Sequence, residues 1–179
     1  MSRILFKING IEFEDYRFPI KAKEGGGFEV PEFDAAKTTG LLAVNMNRAP
    51  ILQLKSGVTI GQSKSIERYI SRQCKLLGDN DEEEGCIDCL AENVRDIRDK
   101  WGKIRMTTGS SEKEEAIKKF YESELQEWLE KLENSLPTQK EGQFFAVGSR
   151  LSYADVQIWY LMTEVFDKNE LAKGISSLS

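Results

Sequence analysis

The sequence predicts a small mixed α/β unit followed by an all-helical one. Three observations carry this. Short apolar stretches of strand and helix period, punctuated by Gly and Pro, fill the first 76 residues. From Glu84 onward the apolar pattern is helical, with residues recurring at three- and four-residue steps. Between them Leu77-Gly78-Asp79-Asn80-Asp81-Glu82-Glu83-Glu84 joins a glycine stop and turn residues to an acidic run that favours a helix start. The expected plan is therefore a unit over 1–76, a linker over 77–83 and a helical unit over 84–179.

In the first unit, Ile4, Leu5 and Ile8 share a helical face that stops at Asn9-Gly10, a C-terminal signal. Ile11-Glu12-Phe13-Glu14-Asp15-Tyr16-Arg17 alternates as a half-buried strand. Gly25-Gly26-Gly27 reads as a flexible connection and Pro31 to Lys37 as a short helix. Arg48-Ala49-Pro50-Ile51-Leu52-Gln53-Leu54 then enters a hairpin, with Gly61-Gln62-Ser63 opening the next helix. Proline is tolerated at a strand entrance because that position need not donate to the ladder. A cis bond there would turn Ala49's N–H and C=O outward, where an extended peptide could pair with them. The Gln62-Ser63 helix start offers N–H groups to a carboxylate; capping is the structural alternative. Ile66, Tyr69 and Ile70 continue this helix to about Cys74.

In the second unit, Ile87, Leu90, Val94, Ile97 and Trp101 form one stripe. Ser111-x-x-Glu114 has the capping-box pattern and opens a helix bearing Ile117, Phe120, Tyr121, Trp128, Leu129 and Leu132, ending near Pro137. A connector with Phe144, Phe145 and Val147 leads to Gly148. Ser152-Tyr153-Ala154-Asp155 is a second cap, followed by Val156, Ile158, Trp159, Leu161, Met162 and Val165. That helix is apolar nearly all round and is expected at the centre of its unit. Trp101, Trp128 and Trp159 are read as core residues.

Composition excludes several classes of function. A net charge of −5 argues against a nucleic-acid partner, which needs a basic face. No apolar run nears the roughly 20 residues of a membrane span, so no membrane partner is expected. Three cysteines, an odd number, fit a reducing compartment and hence a cytoplasmic location. The absence of histidine removes Ser-His-Asp and Cys-His nucleophiles and imidazole metal sites. Cys86-x-x-Cys89 lacks a second ligand pair, so helix packing or an interface is the reading and no metal is expected. Gly25-Gly26-Gly27 lacks the lysine pattern of a phosphate loop.

Ala49-Pro50-Ile51-Leu52, then Gln62-Ser63-x-x-Ile66-x-Arg68-Tyr69-Ile70, then Gly148-x-x-Leu151-Ser152-x-Ala154-Asp155 resemble the cytosolic glutathione transferases. The stretch Ile11–Arg17 is most similar to the second strand of the sigma class. The resemblance runs from Ile4 to about Leu171. It implies a thioredoxin-like N-terminal domain and a helical-bundle C-terminal domain, usually as a homodimer. It further implies glutathione as co-substrate, with no separate cofactor, and a small electrophile as second substrate. By the same resemblance, Ala49 pairs with the cysteinyl part of glutathione and Gln62 and Ser63 hold its γ-glutamyl carboxylate. Phe33 and Lys37 match an aromatic–lysine pair upstream, with Lys37 toward the glycyl carboxylate. Arg48 stands beside Ala49 and Pro50 as a cationic donor. Glu92 and Asp96 are the acids for the ligand's amine, supplied by the partner subunit. Such a site suits an anionic peptide, which calls for cationic donors and a helix N-terminus.

The sequence also departs from the family. Its first strand, which in sigma-like members ends in the tyrosine that hydrogen-bonds the glutathione sulfur, has no counterpart before Ile4. That strand lies between the second and third, so Ile11–Arg17 is expected to lack its neighbour. Tyr16 is not a substitute, and no catalytic residue is assigned. Ser176-Ser177-Leu178-Ser179 stops before the family's last helix. Two readings follow: an incomplete form of a transferase that conjugates glutathione or isomerises a lipid-derived substrate, or a non-catalytic binding or structural module.

Overall fold

The computed structural model describes residues 1–107, 109–137 and 144–166. The chain divides into two compact units, Met1–Cys74 and Lys75–Ser179, so the division falls two residues before the expected edge at 76.

In the first unit, α1 (Ser2–Ile8) ends on Asn9, whose side-chain amide donates to the Leu5 carbonyl at 2.9 Å. Leu5 is fully buried where α1 packs on α3. Residues 11–20 do not form the expected strand. Alternation provides faces, but a strand also needs a ladder partner, and none exists for this segment among the described residues. Its aromatics are held through side chains instead. Phe13 stacks on Phe6 of α1 at 4.8 Å, and Phe18 meets Phe33 edge-on at 5.2 Å.

The tri-glycine is a turn and not a flexible link. It joins β1 (Lys21–Ala22) to the antiparallel β2 (Phe28–Glu29), with φ of +91°, +102° and +86° at Gly25, Gly26 and Gly27. Only glycine adopts three such angles without a Cβ penalty. Next comes α2 (Pro31–Thr38), with proline at its first turn, where a missing N–H costs nothing. The second hairpin pairs β3 (Ile51–Gln53) with β4 (Thr59–Gly61) in the register Ile51↔Gly61, Leu52↔Ile60 and Gln53↔Thr59. It delivers the chain into α3 (Ser63–Gln73), which buries Ile66 and Ile70.

In the second unit, α4 (Asp81–Arg105) starts earlier than the expected 84. The Asn80 side chain accepts from Glu83 N–H at 3.0 Å, which draws the whole acidic run into the first turn. The stripe from Ile87 to Trp101 is buried as expected. Ser111-x-x-Glu114 does not cap. The next helix, α5 (Ser110–Lys119), begins at Gly109, so Ser111 is already inside its first turn.

A π turn, Phe120–Glu124, connects α5 to α6 (Leu125–Asn134). In a plain α-helix adjacent residues point about 100° apart. The wide turn lets both Phe120 and Tyr121 reach Trp101, at ring separations of 5.2 and 5.3 Å. In the same turn Glu124 meets Lys100 at 2.9 Å and Lys119 at 3.3 Å. The Lys100 hydrogen bond, aided by Lys119, holds its carboxyl below the ordinary glutamate range against a smaller opposing effect of burial. The folded pKa lies below the unfolded one, so this stabilisation is complete above about pH 4.3 and is lost as pH falls through the folded value. Glu124→Gln should therefore cost about 0.5–1 kcal/mol at neutral pH and nothing in strong acid, read from urea melts at both.

Into α7 (Tyr153–Tyr160) the chain enters through a complete capping box. Ser152's hydroxyl accepts from Asp155 N–H, and the Asp155 carboxylate accepts from Ser152 N–H at 2.8 Å. That carboxylate also accepts from Ala146 N–H at 2.7 Å. Arg150, just ahead of the box, donates to the carbonyls of Lys75 and Gly78 and to Asp79 at 2.6 Å. Tyr153 N–H donates to the Leu76 carbonyl at 2.8 Å. The segment expected to be a linker is thus fastened into the second unit.

α7 is not apolar on every side. Trp159 is 52% exposed, while Gln157 is fully buried between Tyr153's hydroxyl and Arg98. Trp128 is half-buried beneath Lys131. A second π turn, Leu161–Phe166, follows. The Val165 side chain and residues 167–179 lie outside what the structure describes, as does the expected reading of Ser176–Ser179.

Candidate functional site

The bend at Arg48-Ala49-Pro50 and the start of α3 are joined by one side chain, Asn45. This residue lies in the 3₁₀ turn Ala43–Asn45 and is 2% exposed. Its Nδ2 donates to the carbonyls of Arg48 and Pro50, both at 2.9 Å, while its Oδ1 accepts from Gln62 N–H at 3.1 Å. The Ala49–Pro50 peptide between those carbonyls is cis. Among the described residues no hydrogen bond takes up Ala49's own N–H or C=O. Arg48, Ala49 and Pro50 are all exposed, so this backbone faces solvent.

Gln62 has φ +65° and ψ +121°, a conformation that costs a non-glycine residue about 1–3 kcal/mol. The Asn45 bond holds it there. Gln62's carbonyl receives the first intrahelical bond, from Ile66 N–H at 3.0 Å, so the N–H groups of Ser63, Lys64 and Ser65 come ahead of the ladder. Ser63 and Ser65 of that first turn are exposed, with Lys64 half-buried between them. An extended anionic peptide could pair its backbone at Ala49 while a carboxylate meets the α3 N-terminus.

The other expected site residues are placed differently. Phe33 and Lys37 are one turn apart on α2, with the Lys37 ammonium 4.4 Å from the Phe33 ring centre and 2.9 Å from Asp34. The structure ties this pair to itself and to Phe18, not to the Asn45 assembly. Glu92 and Asp96 lie on α4 in the second unit, and both meet Arg95, at 2.7 and 3.6 Å. Tyr16's hydroxyl donates to Glu32, and that bond raises the phenol above its ordinary pKa. Cys86 and Cys89 are exposed on α4, so of the two expected roles they do not serve packing within the helical unit. Among the described residues no group of three metal-ligating side chains occurs.

Asn45 has no signal in the sequence. Asn45-Met46-Asn47 reads simply as turn residues, and its partners lie up to 17 positions away. Gly61 is a second omission. A Cβ there would stand 2.8 Å from the Cβ of Asn45, so only glycine lets β4 pass this close.

Comparison with known proteins now bears on this geometry. The model of the glutathione S-transferase C-terminal domain matches residues 95–178. Glutathione S-transferase P 10 of Caenorhabditis elegans is 31% identical over 166 residues, covering 92% of this chain and 67% of that protein. The chain belongs to the glutathione S-transferase family. Glutathione S-transferase P 1 of Xenopus laevis is 35% identical over 97 residues, 54% of this chain and 43% of that protein. The match to a glutathione S-transferase of Dirofilaria immitis takes in 50% of its length, so the chain spans about half of these two relatives. Among solved structures, the sigma class glutathione S-transferase of Fasciola hepatica aligns with a TM-score of 0.70 and 25% identity, over 94% of this chain and 74% of that one. The arrangement is thus that of the family: a thioredoxin-like unit, here carrying two separate two-stranded hairpins, and a helical unit. No helix among the described residues is long and apolar enough to cross a membrane.

Proposed function

We propose that this member of the family is a glutathione transferase that binds glutathione and joins its sulfur to small electrophiles. The observation that carries the reading is the hydrogen-bonded unit of Asn45, the Ala49–Pro50 bend and the α3 N-terminus. In it Ala49 pairs with the cysteinyl segment, and Gln62 and Ser63 receive the γ-glutamyl carboxylate. Arg48 adds positive charge at the rim. Lys37, resting on Phe33, is assigned to the glycyl carboxylate, for which it would exchange Asp34. Glu92 and Asp96 of a second copy in a homodimer are assigned to the ligand's ammonium. A cytoplasmic role in detoxification fits the three free thiols.

Retention on immobilised glutathione, together with conjugation of a general electrophile, tests the reading. Failure of both would reject it. Ser63→Ala should weaken glutathione binding by about 2 kcal/mol, through loss of a charge-assisted hydrogen bond, in a calorimetric titration. An unchanged affinity would remove Ser63 from the site.

A second reading is binding without conjugation, in which the same site holds glutathione with no residue assigned to its sulfur. Retention without conjugation is the result that would favour this reading.

A further inference from the structure

We infer that Asn45 is a positioning residue that sets both halves of the ligand site at once, without touching the ligand itself. The inference rests on the glutathione reading for its affinity consequences, but the positioning is a property of the fold. A buried carboxamide has two donors and an acceptor, and Asn45 uses each of them on a backbone group of the site. Two donations grip the carbonyls on either side of Ala49, which leaves Ala49's own polar groups facing outward. The acceptance fixes Gln62 at φ +65°, an angle that a glutamine does not adopt without support.

Neighbouring backbone confines the side chain. Asn45's own carbonyl accepts from Arg48 N–H at 3.0 Å, and its Cβ packs so close to Gly61 that a Cβ added there would stand 2.8 Å away. Met46 and Asn47, the next residues, both turn through the left-handed region at φ +51° and +59°. The bend thus leaves Asn45 tightly and returns to it within five residues at Pro50. A ligand that spans the bend and the helix start would therefore read a spacing that Asn45 sets.

The experiment uses the full chain carrying Asn45→Ala or Asn45→Asp, with Ser63→Ala for comparison. Amide hydrogen exchange at Gln62 should quicken at least tenfold in Asn45→Ala. It should stay protected in Asn45→Asp, which keeps the acceptor. Calorimetric titration with glutathione should give at least tenfold weaker binding in both variants, because both lose the donations to Arg48 and Pro50. Adding Ser63→Ala to the weaker background should cost less than it does in the unmodified chain. A uniformly destabilising substitution would leave the affinity of the folded fraction unchanged, and that result would overturn the inference. Unchanged exchange at Gln62 in Asn45→Ala would overturn it equally. Should Asn45→Ala not fold, Asn45→Asp decides through its affinity and its retained Gln62 protection. Should the unmodified chain itself not bind glutathione, the functional reading fails, while the exchange measurement still decides the positioning.

Discussion

Asp155→Ala should lower the stability of the helical unit by about 3 kcal/mol. The carboxylate accepts three hydrogen bonds, from Ala146 N–H at 2.7 Å, Ser152 N–H at 2.8 Å and the Ser152 hydroxyl at 2.6 Å. Ser152 and Ala146 are buried, so alanine would strand two backbone N–H groups away from water. Each such group costs about 1–3 kcal/mol, and a lost cap adds about 1 kcal/mol. Asp155→Asn keeps one acceptor but turns an NH₂ toward donors, so it should fall between alanine and the unmodified chain. Urea midpoints at neutral pH measure the series. A loss below 1 kcal/mol for alanine would mean that water replaces the carboxylate.

Gly61→Val should cost the first unit about 3 kcal/mol and weaken glutathione binding at least tenfold. The substituted Cβ would meet Asn45 at 2.8 Å on one side chain atom and 3.1 Å on its Cα. Overpacking of this kind costs about 1–3 kcal/mol, and the β-branch places valine at the upper end. Asn45 cannot retreat without releasing Gln62 and the two carbonyls around Ala49. Stability and affinity should therefore fall together. Gly85→Ala is the control: its Cβ meets nothing within 4 Å on α4, so it should be neutral or slightly stabilising. A Gly61→Val chain with unchanged affinity would show that the bend and the helix start are not coupled through Asn45.

What could be read from the sequence was whatever is decided locally. The stripe from Ile87 to Trp101, the stop at Asn9-Gly10 and the Ser152–Asp155 box each rest on residues within a turn or two of one another. The misreadings share a different cause. Ile11–Arg17 alternates like a strand, yet a ladder requires a partner that no periodicity supplies. Ser111-x-x-Glu114 has the letters of a cap, but Gly109 starts the helix sooner. Trp159 sits among apolar neighbours in sequence and still faces solvent, because which side of α7 is buried depends on α4. Of the site, Ala49-Pro50 and Gln62-Ser63 were legible as a bend and a helix start. The residue that joins them was not. Asn45 acts across 17 positions, and a buried amide looks the same in sequence as a turn asparagine.

Arg150 gives the helical unit a topology as well as a contact. Its guanidinium clasps Asp79 across 71 positions, so α4, α5 and α6 are strung on one closed ring of chain whose ends meet at the entrance of α7. The entropy of closing such a ring grows only with the logarithm of its length, and doubling the ring would add about 0.6 kcal/mol. Lengthening or shortening the connections inside the ring is therefore cheap, provided that the clasp survives. The unit can vary in circumference between Asp79 and Arg150 while the α7 entrance stays where it is.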